Sequence, residues 1–148
     1  MLKIYLGLLL LLINFNNLKA DNEYFLTLRN DKVNLRLGPS FDYPIKLYYK
    51  KKFLPVLIID SSGNFRKIKD HENNSGWIHI SQLSKKKAVI VMNNELKMFK
   101  KPTLFSQPVA KLEKGKLCIV IRCKETWCKV KVNAVYGWVK NNNLWGRF

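Results

Sequence analysis

The sequence predicts an all-β protein built from two copies of one small module. Short segments that alternate apolar and polar residues are separated by turn residues about every eight to twelve positions, as in small sandwiches and barrels. No segment shows sustained helical periodicity. The motif Gly76-Trp77-Ile78 returns 61 residues later as Gly137-Trp138-Val139. A period of this size indicates a duplicated structural unit.

The first twenty residues have the pattern of a secretory signal peptide. Lys3 precedes a short apolar run, Ile4–Ile13, and Ala20 offers a small residue at the expected cleavage point. A run of this length is too short for a stable membrane span. We expect residues 1–20 to be removed, and retention as an anchor is the alternative. The mature chain is then periplasmic or secreted, with membrane contact only through the transient signal peptide.

Residues 21–84 are predicted to form the first module. The extended segments are 24–30, 33–36, 45–49, 55–59, 65–69 and 76–80. Gly38-Pro39-Ser40 interrupts the second segment, because glycine permits positive φ and proline fixes its own φ. A long irregular loop follows this turn, and 60–64 is predicted to be a hairpin loop.

Residues 85–148 are predicted to form the second module, which begins after the lysines at 85–87. By the 61-residue period, Leu96-Lys97-Met98 corresponds to Leu35-Arg36-Leu37. Leu117–Ile121 corresponds to the buried strand around Val56. The second module has lysines and a proline at 100–102, where the first has its Gly-Pro-Ser turn.

The chain carries a formal net charge of +17, which attracts anionic polymers and surfaces. Only five of the 27 basic residues are arginine, the side chain that binds phosphate in a bidentate fork. Lysine- and asparagine-rich composition is also what an AT-rich genome would encode. The charge therefore supports contact with acidic envelope material without establishing it.

Three cysteines in an exported chain suggest a disulfide. Cys123 and Cys128 flank a four-residue link between strand ends, so we expect them to be bonded if those ends pair. Cys118 lies within an apolar run and is interpreted as a buried small hydrophobe. The cysteines and the two histidines lack the paired spacing of a zinc site, and we expect no metal or cofactor.

The motifs together resemble the bacterial SH3-like domain family in its tandem, exported form. The first copy carries the resemblance in Val33–Ser40, Tyr43-Pro44, Leu54–Val56, Phe65–Ile68 and Gly76–Ile78. The second copy carries it in Trp127-Cys128, Gly137–Val139 and Leu144–Gly146 but lacks the Asn-x-Arg-x-Gly-Pro pattern. The resemblance implies two small barrels of strongly bent strands and a role in binding peptides or cell-wall material.

The candidate ligand groove lies in the first module, because only that copy retains the loop motif. Its predicted residues are Arg36, Pro39, Phe41, Tyr43 and Trp77. Arg36 would bind a peptide carboxylate through its planar fork. The alternatives are a solvated arginine or an internal pair with an aspartate, and a tryptophan that only closes the core.

We expect no enzymatic activity, because the sequence offers no convincing nucleophile–base pair or paired carboxylates. The leading hypothesis is a non-catalytic module that binds a cell-wall polymer or a peptide segment of an envelope protein. The first alternative is a periplasmic scaffold without a small ligand. Nucleic-acid or other polyanion binding ranks third, and export argues against a nucleic-acid partner.

Overall fold

The computed structural model describes residues 22–148, and the predicted signal peptide lies outside them. The regular secondary structure of the described residues is all β-strand except for one 3-10 helix at Ile80–Gln82. The all-β prediction is confirmed. The fourteen strands are β1 Tyr24–Leu28, β2 Val33–Arg36, β3 Ile45–Tyr49, β4 Pro55–Ser62, β5 Phe65–Lys69, β6 Ser75–His79, β7 Leu83–Ser84, β8 Ala88–Val91, β9 Glu95–Phe99, β10 Pro108–Glu113, β11 Leu117–Lys124, β12 Trp127–Val132, β13 Val135–Lys140 and β14 Leu144–Gly146.

The strands form two seven-stranded antiparallel sheets with the same topology. The first is ordered β3-β2-β6-β5-β4-β1-β7 and the second β10-β9-β13-β12-β11-β8-β14. Adding seven to each strand number of the first order gives the second, so the duplication read from the sequence is a duplication of structure. We call the first sheet and its loops unit 1 (24–84) and the second unit 2 (88–146).

A glycine directly before the repeated tryptophan allows two strands to cross closely in unit 1. A Cβ placed on Gly76 would lie 2.7 Å from both the Leu35 Cγ and the Arg36 carbonyl oxygen. Real Cβ atoms do not approach backbone oxygen this closely, so any other residue would push β6 away from β2. Gly137 makes the same approach in unit 2, where its Cβ would meet the Met98 side chain and the Phe99 carbonyl oxygen.

These contacts correct the alignment of the two copies. Trp77 is paired with Arg36 in unit 1, whereas Trp138 is paired with Phe99 in unit 2. The partner strands therefore correspond at a spacing of 63 residues, and not at the 61 that relates the tryptophans. The expected match of Lys97 to Arg36 is wrong. The discrepancy arises because unit 2 has two residues fewer than unit 1 between this partner position and its tryptophan.

The two units share apolar packing through β8, which is buried along its whole length. Val89 and Val91 belong to the core of unit 2, whereas Ile90 belongs to the core of unit 1. A strand covered on both faces has a continuous apolar sequence, which explains the run from Ala88 to Val91. A module of this size buries only a small core alone, and the core of unit 1 is extended by Ile90 of unit 2.

The C-terminal strand completes this interface. The Trp145 indole packs edge-on against Phe25 at 5.1 Å between ring centroids, and its Nε1–H donates to the Pro55 carbonyl at 3.3 Å. Arg147 Nη1 donates to the Phe25 carbonyl at 3.1 Å. Residues near the end of the chain therefore hold β1 and β4 of unit 1.

A buried carboxylate organises the turn before β6. Asp70 is only 2% exposed and accepts hydrogen bonds from the Tyr49 hydroxyl and from the backbone amides of Glu72 and Asn74. The Asn74 side chain donates a fourth bond. Burial, and then the Asp70 charge, raise the pKa of Tyr49 well above its usual range. Tyr49 therefore stays a hydroxyl donor across the physiological pH range.

The disulfide between Cys123 and Cys128 is confirmed. The two residues are direct cross-strand partners of β11 and β12, with their Cα atoms 4.0 Å apart. The bond closes the outer end of this hairpin and fits an oxidising compartment. Cys118 is buried, and burial raises the pKa of its thiol to about 11.

We expect Asp70→Ala to lower the free energy of unfolding by about 3 kcal/mol, because it leaves buried donors without an acceptor. Urea denaturation followed by circular dichroism measures the change. Asp60→Ala is the matched control, since exposed Asp60 accepts only one local bond, from the Ser61 amide, and should cost less than about 0.5 kcal/mol. Equal losses in the two variants would contradict this role for Asp70.

We expect Trp145→Ala to destabilise unit 1, although the substitution lies in unit 2. Loss of the indole removes packing on Phe25 and the bond to Pro55, at a cost of about 2–4 kcal/mol. Amide hydrogen exchange in β4 should accelerate. Phe148→Ala, at a ring 47% exposed, is the control and should leave β4 protected. Unchanged β4 exchange in Trp145→Ala would show that the units are energetically independent.

Candidate functional site

A row of three side chains crosses the outer face of unit 1. Trp77 of β6 is directly opposite Arg36 of β2 on one side and Lys67 of β5 on the other. Directly opposed residues project from the same face of an antiparallel sheet. Trp77 is half-buried, so part of the indole remains accessible between two cationic side chains.

Arg36 braces the irregular loop between β2 and β3. Its Nη1 donates to the carbonyls of Phe41 at 3.2 Å and Tyr43 at 3.0 Å. The guanidinium also lies over the Phe41 ring, 5.3 Å from its centroid. Of the alternatives for Arg36, an aspartate pair does not occur within residues 22–148, because Asp70 is satisfied by the turn that follows it.

Gly38 gives the same loop its shape. A Cβ at this position would overlap the aromatic ring of Tyr43, so the ring packs directly on the glycine backbone. Tyr43 nevertheless remains 47% exposed, and Pro39 is half-buried in the turn. The Gly-Pro motif therefore positions the Tyr43 ring, and the loop presents it at the surface.

An aromatic cluster not assigned from the sequence adjoins the row. The rings of Phe41, Phe65 and His79 lie 5.1–5.2 Å apart between centroids. Phe65 is nearly buried, whereas Phe41 is 65% exposed. The sequence signal for this cluster was strand alternation. His79 lies two residues after Trp77, so both side chains project from the same face of the sheet.

A cleft of about 350 Å³ opens beside this cluster. Of the predicted groove residues, Arg36 and Phe41 line it, whereas Pro39, Tyr43 and Trp77 do not. The remaining lining residues were not predicted: Lys32, Asn34, His79, Ser81 and Gln82. The structure thus brings Arg36 to the border between two surfaces, the cleft and the row that contains Trp77.

The equivalent aromatic side chains of unit 2 are buried. Phe99, Trp127 and Trp138 form a separate cluster, each less than 9% exposed. Arg122 lies over Trp138 and Lys140 over Trp127, both 5.2 Å from the ring centroid. Phe99 thus takes the position that Arg36 holds in unit 1. A cleft of about 350 Å³ beside Arg122 reaches Trp138, so the two units differ in how far the tryptophan is buried.

The histidines of the described residues make local contacts, and the Nδ1 of His79 lies 2.7 Å from the Ser81 hydroxyl oxygen. His79 Nδ1 caps the 3-10 helix by accepting from the Ser81 amide at 3.2 Å, and His71 contacts Glu72 at 3.4 Å. Among residues 22–148, no three metal-ligating side chains cluster. No helix in that range has the length and apolar character needed to cross a membrane.

The chain matches the model of a known protein family. The bacterial SH3 domain family matches twice, at residues 29–85 and 92–146, so the chain belongs to this family and contains the domain in tandem. Bacterial SH3 domains are typically binding modules of the cell wall. The resemblance deduced from the sequence motifs is therefore confirmed.

Two solved structures with weak overall similarity are NlpC2 and NlpC1 from Trichomonas vaginalis. They are 11% and 12% identical to this chain, with a TM-score of 0.37 each. The alignments cover 82% of this chain in both cases but only 47% and 45% of those chains. The chain thus spans less than half of their length. A search of curated proteins gave no significant match.

We expect Arg36→Ala to loosen the 37–44 loop, because it removes both bonds to loop carbonyls. The Leu37 amide, which donates to the Pro44 carbonyl, should exchange roughly tenfold faster with solvent deuterium. Arg66→Ala is the matched control, since Arg66 braces a different hairpin through the Gly63 carbonyl. Unaltered Leu37 exchange in Arg36→Ala would contradict the bracing role.

Proposed function

We propose that the protein is a non-catalytic, exported binding module and that unit 1 binds a cell-envelope component. The ligand is peptidoglycan or a peptide segment of an envelope protein. The contact surface is the row Arg36–Trp77–Lys67 with the adjoining loop residues Pro39, Phe41 and Tyr43. The proposal combines the typical role of the family with the surface of unit 1 that carries a partly accessible indole beside an arginine.

The difference between the two units is the observation that carries this proposal. Both have an aromatic face in the same place, but Trp138 is buried at 7% exposure and Trp77 is not. A half-exposed indole beside an arginine can stack on a sugar or peptide plane, and the guanidinium can bind a carboxylate. If the aromatic face of unit 1 served only stability, we would expect its tryptophan to be buried, as Trp138 is in unit 2.

Non-catalytic action is supported by the state of the potential nucleophiles. Cys123 and Cys128 are bonded to each other, and the Cys118 thiol is buried with a raised pKa. His79 is occupied as a helix cap. Its Nδ1 lies 2.7 Å from the Ser81 hydroxyl and also accepts from the Ser81 amide at 3.2 Å, so this pair serves the cap, and binding is the chemistry that the face supports.

A scaffold without a small ligand is the second candidate. The observation that favours it is the packing between units, in which Ile90 and Trp145 join the apolar core of unit 1. Such packing fixes the relative positions of two surfaces, as an assembly protein requires. Polyanion binding through the lysine-rich surface is a third candidate, and it depends on charge rather than on the Trp77 face.

Binding to purified cell-wall sacculi separates these candidates. We expect the mature protein to sediment with sacculi at 0.5 M salt, where simple charge attraction is screened. Trp77→Ala should reduce the bound fraction about tenfold, by loss of one stacked aromatic. Tyr24→Ala removes an aromatic side chain, 44% exposed, from another surface and should bind normally.

Other outcomes of this experiment assign the other candidates. Binding that disappears at high salt in every variant would indicate polyanion attraction, and no binding at either salt would favour the scaffold. Binding that survives both high salt and Trp77→Ala would place the contact elsewhere. Soluble muropeptides and peptide-free glycan strands, tested as competitors, then separate recognition of the peptide from recognition of the sugar.

A further inference from the structure

A second cleft lies between the two units, on a surface that the proposed envelope contact does not use. It has a volume of about 590 Å³. Unit 1 contributes Lys51 and Phe53, the link between units contributes Lys86, and the remaining walls come from unit 2. We call it the inter-unit cleft. Its composition is unusual because it combines strong positive charge with an apolar floor.

Four ammonium groups surround the inter-unit cleft: those of Lys51, Lys86, Lys116 and Lys131. No carboxylate lines it, and none of the four takes part in an ion pair among residues 22–148. Like charges gathered in one concave site repel each other, and the site attracts an anion. The positive charges of Lys116 and Lys51 also act together on buried Cys118, although they come from different units.

The floor of the cleft is the outer face of β11. Leu117 and Ile119 are half-buried there, and Ile121 is 48% exposed at a bulge in the strand. Ile119 is directly opposite Lys131, which in turn lies over the Tyr136 ring at 5.4 Å. Exposed aliphatic side chains therefore lie next to the ammonium groups and form a contact surface for an apolar chain.

Phe53 gives the cleft an aromatic wall. Its φ of 63° is in the left-handed region, and Gly115 has a φ of 85° at the equivalent turn of unit 2. The amides of both residues donate at 2.8 Å, from Phe53 to the Leu28 carbonyl and from Gly115 to the Val91 carbonyl, so this conformation belongs to the repeated turn. The Lys86 ammonium lies 5.9 Å from the Phe53 ring centroid, which places a cation beside the aromatic wall.

We propose that the inter-unit cleft binds an anionic amphiphile, a molecule with a phosphate or carboxylate head and an apolar tail. The head is held by the lysine ammonium groups, and the tail lies on Leu117, Ile119 and Ile121. An acidic peptide fits less well because β11 is hydrogen-bonded on both sides, to β8 and β12, and offers no strand edge to extend.

Isothermal titration with monomeric decyl phosphate tests this proposal on the mature protein. We expect its Kd to be at least about tenfold lower than that of inorganic phosphate or of neutral decyl maltoside. Amide resonances of β11 and of residues 51–53 should shift on binding. Equal affinity for decyl phosphate and inorganic phosphate, or tighter binding of a glutamate-rich peptide, would overturn the proposal.

Paired variants locate the site. K116A/K131A should weaken decyl phosphate binding about tenfold, whereas K97A/K114A, which removes the same charge outside the cleft, should not. Ile121→Ser should weaken decyl phosphate binding while leaving inorganic phosphate unaffected. If both double variants weaken binding equally, the attraction is general and the proposal fails.

An experiment with lipid vesicles shows whether the amphiphile is a bilayer lipid or a dispersed molecule. Sedimentation with phosphatidylglycerol vesicles that K116A/K131A abolishes identifies a lipid in a bilayer, and binding of only dispersed decyl phosphate identifies a dispersed amphiphile. Trp77→Ala should bind decyl phosphate normally. Trp77→Ala therefore separates this proposal from the proposed envelope contact, because that contact depends on a different surface.

Discussion

The close approach of two paired strands, β6 to β2 in unit 1 and β13 to β9 in unit 2, is the constraint on which the rest of each unit depends. Gly76 brings the first two backbones together because no Cβ stands between it and the Arg36 carbonyl. The tryptophan after the glycine then lies beside the residue that the partner strand presents there. That residue is Arg36 in unit 1 and Phe99 in unit 2, and it helps to decide whether the indole is partly accessible or buried.

The second organising feature is the apolar packing that unit 2 supplies to unit 1. The core of unit 1 includes Ile90 of β8 and packs against Trp145, whereas the core of unit 2 consists of its own residues. The same junction forms the inter-unit cleft, to which unit 1 contributes Lys51 and Phe53 and unit 2 contributes the apolar floor. Stability of unit 1 and the second candidate site thus have a common origin.

Most of the architecture could be predicted from the sequence, because strand alternation, turn residues and a repeated Gly-Trp motif are local signals. The disulfide followed from the same reasoning. The counterpart of Arg36 did not, since the units differ by two residues between the repeated tryptophan and its partner strand. The clustering of Phe65 and His79 with Phe41 was not predicted either, because it depends on how two strands and a loop converge. The inter-unit cleft required knowledge of how the units pack, which no local pattern encodes.

The position of Trp145 has a consequence for how such a protein can arise and be made. A chain that stops after unit 1 would lack Ile90 and the indole that cover its core, and would expose apolar surface to its neighbours. During synthesis the same gap persists until Trp145 has emerged. Unit 1 is therefore not a piece that can be moved between genes or cut out on its own as a working whole, even though the repeat reads as two separable domains.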